Sequence, residues 1–129
     1  MTYPPCTHMQ ALRALAAAKP ESEVVSALPA WAFLFSRLVI DGSRAVRAEA
    51  GHVMGALAAA SGRKIAPFLR ALLPSWWLAQ FDIAADAATA AKAAFAAAFS
   101  TEAKRRDAVL FCRAEVGAGF NNAARLAEQ

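Results

Sequence analysis

The chain has 129 residues and a formal net charge of +4, and 58% of its residues are hydrophobic, much of that alanine. This length fits one domain, and alanine is the strongest helix former, so the composition argues for helix throughout and against a sheet. Cys6 and Cys112 lie far apart with no other cysteine near, which excludes a disulfide framework and reads as thiols in a reducing compartment.

Residues 1–6, with Pro4-Pro5, cannot be helix interior and are predicted as a disordered lead-in. Thr7 is a candidate cap for a helix to about Ala18, ended by Lys19-Pro20. Val24, Leu28, Trp31, Phe35 and Leu38 mark one stripe of a second helix over residues 22–40 that contains Pro29. Asp41-Gly42 is a turn, and Ser43 is a good N-cap for a third helix that presents Val46, Ala50, Val53, Met54 and Leu57 inward. That helix stops at Ser61-Gly62. The strongest helical period follows in residues 64–80, with Ile65, Phe68, Leu69, Leu72, Leu73 and Trp76 at three- and four-residue steps. Pro67 falls in its first turn, where proline is tolerated, and Pro74 inside it predicts a kink. A fifth helix is predicted over residues 84–99 and a sixth over residues 101–116. Residues 117–129 have little core potential and read as a divergent or frayed tail.

A spacing of 41 residues relates two of these units. Trp31, Phe35, Leu38, Asp41, Val46, Ala50, Met54 and Ala58 shift onto Leu72, Trp76, Ala79, Asp82, Ala87, Ala91, Phe95 and Phe99. Apolar falls on apolar, and aspartate on aspartate. Such a period reads as paired helices of the HEAT or armadillo kind, which bury their apolar faces only against neighbouring pairs. The predicted fold is therefore all-α, a solenoid fragment of about six helices that begins and ends mid-repeat. In repeats of this kind a turn aspartate pairs with an arginine of the following helix, which gives Asp41, Arg47 and Asp82 a structural role first. Ala88 stands where a second arginine would be, so the ladder is expected to be partial.

The order of these motifs resembles the N-terminal domain of the listerin family, the large ubiquitin ligases of ribosome-associated quality control. The resembling residues include Leu28-Pro29-Ala30-Trp31, then Asp41 with Arg44-Ala45-Val46-Arg47, and Ile65-Ala66-Pro67-Phe68-Leu69-Arg70. They continue through Trp76-Trp77-Leu78-Ala79-Gln80-Phe81-Asp82 and Ala90-Ala91-Lys92-Ala93-Ala94-Phe95. The match covers residues 7–116. The resemblance implies a ribosome-docking domain that works beside the factor elongating stalled nascent chains on the large subunit. It implies cytosolic, ribosome-associated protein, with rRNA and ribosomal protein as contacts and no DNA. Listerins carry zinc in a C-terminal RING that recruits the ubiquitin-conjugating enzyme. Two cysteines and two histidines cannot supply the eight ligands such a RING needs. This chain is accordingly expected to bind rather than catalyse, as a monomer without a cofactor of its own. A generic HEAT-repeat scaffold with no ribosomal role is the alternative reading.

No catalytic constellation emerges from the residues themselves. Cys6 and His8 fall short of a metal site, and His52 lies on the Val46–Leu57 helix as a solvated or packing residue. Cys112 among Val109, Phe111 and Val116 reads as a buried inert thiol. Asp82 and Asp86 are one turn apart, and one of them is expected to cap the fifth helix. The candidate partner-binding residues are Arg63-Lys64 and Lys104-Arg105-Arg106, basic clusters at helix junctions, with Trp77 as a flank anchor. The apolar runs carry Pro29 and Arg37, or Asp86 and Lys92, so neither reads as a membrane span. The first ten residues have no apolar core of a signal peptide.

Overall fold

The computed structural model describes residues 20–112 together with 13, 14, 16 and 17. Five α-helices and one 3-10 segment make up the continuous part. They are α1 (Glu21–Leu38), α2 (Arg44–Ser61), the 3-10 segment (Gly62–Phe68), α3 (Leu69–Ala79), α4 (Ala85–Ala98) and α5 (Glu102–Phe111). Among the described residues there is no strand, as the sequence period predicts. Most of the first predicted helix, Cys6, His8 and the tail lie outside the described residues.

Each boundary has a local cause. Glu21 and Glu23 occupy the first turn of α1, where carboxylates oppose the positive helix end. Asp41 Oδ1 accepts the Ser43 N–H at 2.8 Å, and Ser43 Oγ accepts the Val46 N–H at 3.4 Å, so the turn and the start of α2 are bonded in sequence. Gly62 ends α2 with φ of 56°, a left-handed conformation that a side chain would strain. Thr101 Oγ1 accepts the Lys104 N–H at 3.1 Å and caps α5.

Two expectations need correction here. The predicted helix over residues 64–80 is split, with residues 62–68 in tighter 3-10 turns and α-helix only from Leu69. Pro67 has no N–H to give an α-helical ladder, and the chain leaves Gly62 in a sharp reversal. Neither Asp82 nor Asp86 is the N-cap of α4, because Ala84 holds that position without a side-chain bond. Asp82 Oδ1 instead accepts the Ala84 N–H at 2.9 Å, closing the turn two residues earlier as Asp41 does before α2.

The helices form two layers. α1 packs on α3 and α2 packs on α4, while each pair is also joined across its own turn. The most extensive contact in the molecule is α2 against α4. Small residues make it possible: a Cβ placed on Gly51 would sit 3.0 Å from Ala90 Cβ, and one on Gly55 would sit 3.1 Å from Ala94 Cβ. The alanine-rich helix is α4. Its closest neighbour is α2, because equivalent helices of successive pairs stack in this arrangement.

Large side chains fill the space between the layers. Leu28, Phe35, Val53, Met54, Leu72, Leu73 and Trp76 are fully buried. Each such side chain contributes about 1.5–3 kcal/mol relative to exposure. Trp31 stacks on Phe35 at 5.3 Å and donates its indole N–H to Met54 Sδ at 3.3 Å. In the second pair, Trp76 meets Phe95 edge-to-face at 5.3 Å and donates to the Ala91 carbonyl at 3.2 Å. There Leu72, Trp76 and Phe95 are buried, while Phe68 and Phe99 are half-buried at the margin of the core.

The repeat pattern anticipates a bond from Arg47 to the Asp41 carboxylate of the turn before its own helix, but the salt bridge runs to Asp82 of the next pair. Arg47 Nε donates to Asp82 Oδ2 at 2.7 Å and Nη2 to Asp82 Oδ1 at 3.3 Å, while Nη1 donates to the Asp41 carbonyl at 2.7 Å. One guanidinium therefore binds both turns. Arg44, one turn before Arg47, lies 3.8 Å from Asp86 on the exposed side.

Candidate interaction surface

The stack has two kinds of edge. The turns at Asp41 and Asp82 join helices within a pair. The 3-10 segment and residues 99–101 carry the chain from one pair to the next, so they share the opposite edge. Arg63 and Lys64 lie in the 3-10 segment and are exposed. Lys104, Arg105 and Arg106 lie in the opening turns of α5, not on a loop, and Lys104 and Arg106 are exposed.

Arg105 differs from its neighbours. It is half-buried, and its Nη1 donates to the Phe99 carbonyl at 3.1 Å. Arg47 does the same for the Asp41 carbonyl, also six residues back and four after the capping residue. In both cases an arginine covers a carbonyl of the turn preceding its helix. Arg105 is thus partly structural, whereas the Lys104 and Arg106 side chains stand exposed.

Trp77 lies on the flank of α3, half-buried, and meets Phe81 at 5.7 Å and Phe95 at 6.1 Å, both edge-to-face. It forms one wall of a cleft of about 410 Å³ together with Gln80 and Phe95. The facing wall is α5, which contributes Glu102, Arg105, Arg106, Val109 and Leu110. α5 approaches α3 where Arg70 lies over the Phe111 ring at 4.8 Å. The structure therefore brings three of the sequence candidates together, Trp77, Arg105 and Arg106. Arg63 and Lys64 do not line the cleft. Gln80, Val109 and Leu110 were not singled out as binding residues, since nothing in their spacing marks them. Only the approach of two helices distant in sequence creates their wall.

The edge opposite the basic one is apolar. Ile40, Phe81 and Ile83 are 59%, 61% and 99% exposed, and Ile40 and Phe81 hold equivalent places beside the two turn aspartates. His52 is exposed on α2 beside a shallow depression that Arg13 and Ala56 also line, and Arg13 pairs with Glu49 at 3.1 Å. Cys112 is buried at the end of α5. Among the described residues no three His, Cys, Asp or Glu side chains gather as metal ligands would. No described helix is long and apolar enough to cross a membrane.

Residues 5–125 match the family described as "E3 ubiquitin-protein ligase listerin, N-terminal domain". The chain belongs to the listerin N-terminal domain family. It is 32% identical over 108 residues to the E3 ubiquitin-protein ligase listerin of Mus musculus, covering 84% of this chain and 6% of that protein. Against the listerin of Gallus gallus it is 34% identical over 97 residues, 74% of this chain and 5% of the relative. Against that of Drosophila melanogaster it is 31% identical over 116 residues, 87% and 7%. The chain thus spans a small fraction of the length of the listerins it matches. No solved structure matches it.

Proposed function

We propose that this listerin N-terminal domain is a docking module that seats a listerin-like ubiquitin ligase on the large ribosomal subunit. The ligase would ubiquitinate stalled nascent chains, and this domain would supply binding rather than transfer. Zinc would enter only through a RING elsewhere in the parent, and the setting would be the ribosome-associated cytosol. The observation that carries the reading is the junction edge, where exposed Arg63 and Lys64 lead into one pair and exposed Lys104 and Arg106 into the next. Such cations can meet rRNA phosphates and displace counterions, an interaction that weakens steeply with salt. A few phosphate contacts give low affinity, so a protein surface shares the load. Trp77, beside Arg105 and Arg106, is the aromatic best placed for it. The nascent-chain elongating factor and ribosomal protein are the partners this reading names.

The test is co-sedimentation with purified large subunits over a salt series. Because Arg105 also covers the Phe99 carbonyl, the charge reversal uses Arg63→Glu, Lys64→Glu, Lys104→Glu and Arg106→Glu together. The quadruple variant is expected to stay in the supernatant at salt where the parent pellets, with unchanged helical circular dichroism. Pelleting equal to the parent would refute the docking edge and leave the generic protein-binding scaffold as the better description.

A further inference from the structure

The cleft between α3 and α5 has a chemistry more specific than a basic face. Its interior is apolar and aromatic, with Trp77 and Phe95 facing Val109 and Leu110. At its rim stand two guanidiniums against one carboxylate, Arg105 and Arg106 against Glu102, so the field favours an anionic group. Gln80 lines the same cleft, and its Nε2 is shielded from water without a hydrogen-bond partner. A buried amide donor left unmade costs about 1–3 kcal/mol. Among the described residues none supplies it an acceptor.

We infer that this cleft binds an acidic, apolar peptide segment of a protein partner, with an aliphatic side chain between Trp77 and Val109 and a neighbouring carboxylate on Arg105 and the Gln80 amide. The volume of about 410 Å³ accepts one or two such side chains, not a folded surface. A peptide fits better than RNA here. Trp77, already engaged edge-to-face by Phe81 and Phe95, is no open stacking platform for a base. The proposal deepens the docking reading by naming the protein-facing half of the surface, and its test leaves the phosphate-facing cations untouched.

Chain 1–129 labelled with 5-fluorotryptophan gives separate fluorine resonances for Trp31, Trp76 and Trp77, the last assigned with Trp77→Phe. A capped tetrapeptide, glutamate–leucine–leucine–glutamate, is titrated in. The Trp77 resonance is expected to move saturably at millimolar peptide, while those of buried Trp31 and Trp76 hold still. Gln80→Leu is expected to weaken binding by about tenfold, the loss of one bond to a charged group. The same variant should melt no lower than the parent, because an unmet donor has been removed. A purely structural glutamine would lower the melting temperature and leave the affinity alone, which would overturn the assignment. So would a Trp77 resonance that ignores the peptide, or one that responds equally to the glutamine–leucine–leucine–glutamine analogue. A response to oligouridylate in place of the peptide would assign the cleft to RNA and overturn the peptide proposal. Gln80→Leu should still pellet with large subunits at low salt, since the cations of the junction edge remain. If it binds the peptide weakly yet pellets normally, the two halves of the surface are separable.

Discussion

Cutting the rung between the two helix pairs should cost far more than cutting the neighbouring bridge on the same pair of helices. The perturbation is a double-mutant cycle on Arg47→Met and Asp82→Asn, which keep the side-chain stem and the turn acceptor for Ala84. The Arg47 and Asp82 side chains are 16% and 8% exposed, and two N–H groups of the guanidinium reach the two carboxylate oxygens. Hydrogen bonds to charged groups contribute about 1.5–3 kcal/mol each. Residual solvent around Arg47 discounts two of them to a coupling of about 2 kcal/mol. Arg47→Met alone should cost about 3 kcal/mol, because it leaves a shielded carboxylate unpaired and frees the Asp41 carbonyl. Arg44 and Asp86 supply the control. They are 3.8 Å apart with side chains 73% and 50% exposed, and their coupling should stay below about 0.5 kcal/mol. Urea denaturation followed by far-ultraviolet circular dichroism measures all four variants of each cycle. A coupling at Arg47–Asp82 no larger than at Arg44–Asp86 would refute the claim that the rung joins the pairs energetically.

Two further outcomes follow from the packing. Phe95→Ala should destabilise by about 3–5 kcal/mol by urea denaturation, since the ring is 2% exposed among Trp76, Trp77 and Phe99. A loss below about 1 kcal/mol would mean that the ring is not buried. Gly51→Val should cost about 1–3 kcal/mol in the same assay, because even a first carbon there lies 3.0 Å from Ala90 Cβ and 3.1 Å from the Ala91 backbone nitrogen. Exposed His52→Ala on the same helix should stay within about 0.5 kcal/mol, and equal losses at the two positions would overturn the close-approach reading.

The helices were legible in the sequence because each carries its own signal. Leu28, Trp31 and Phe35 recur at helical steps, Ser43 and Gly62 mark the ends of α2, and Asp41 returns as Asp82 in the next turn. These are local effects of period, cap and backbone conformation, and family membership rests on the same residues in order. The interval 62–68 escaped because proline is compatible with both a helix start and a 3-10 turn, and tertiary context chose between them. What tertiary structure alone decided is which helices touch. Gly51, Gly55, Ala90 and Ala94 are unremarkable as letters, for alanine and glycine carry no partner in their sequence. Only when α2 and α4 lie side by side does the lack of side chains become a contact. Arg47 likewise had two aspartates within the repeat pattern to choose from, and the stacking set the choice: its side chain meets Asp82, while its own turn takes the remaining N–H through a carbonyl. Trp77 and Gln80 lie one turn apart at the end of α3, but Arg106 is far from both along the chain. They share a cleft because α5 returns beside α3, a consequence of non-local packing that no periodicity encodes.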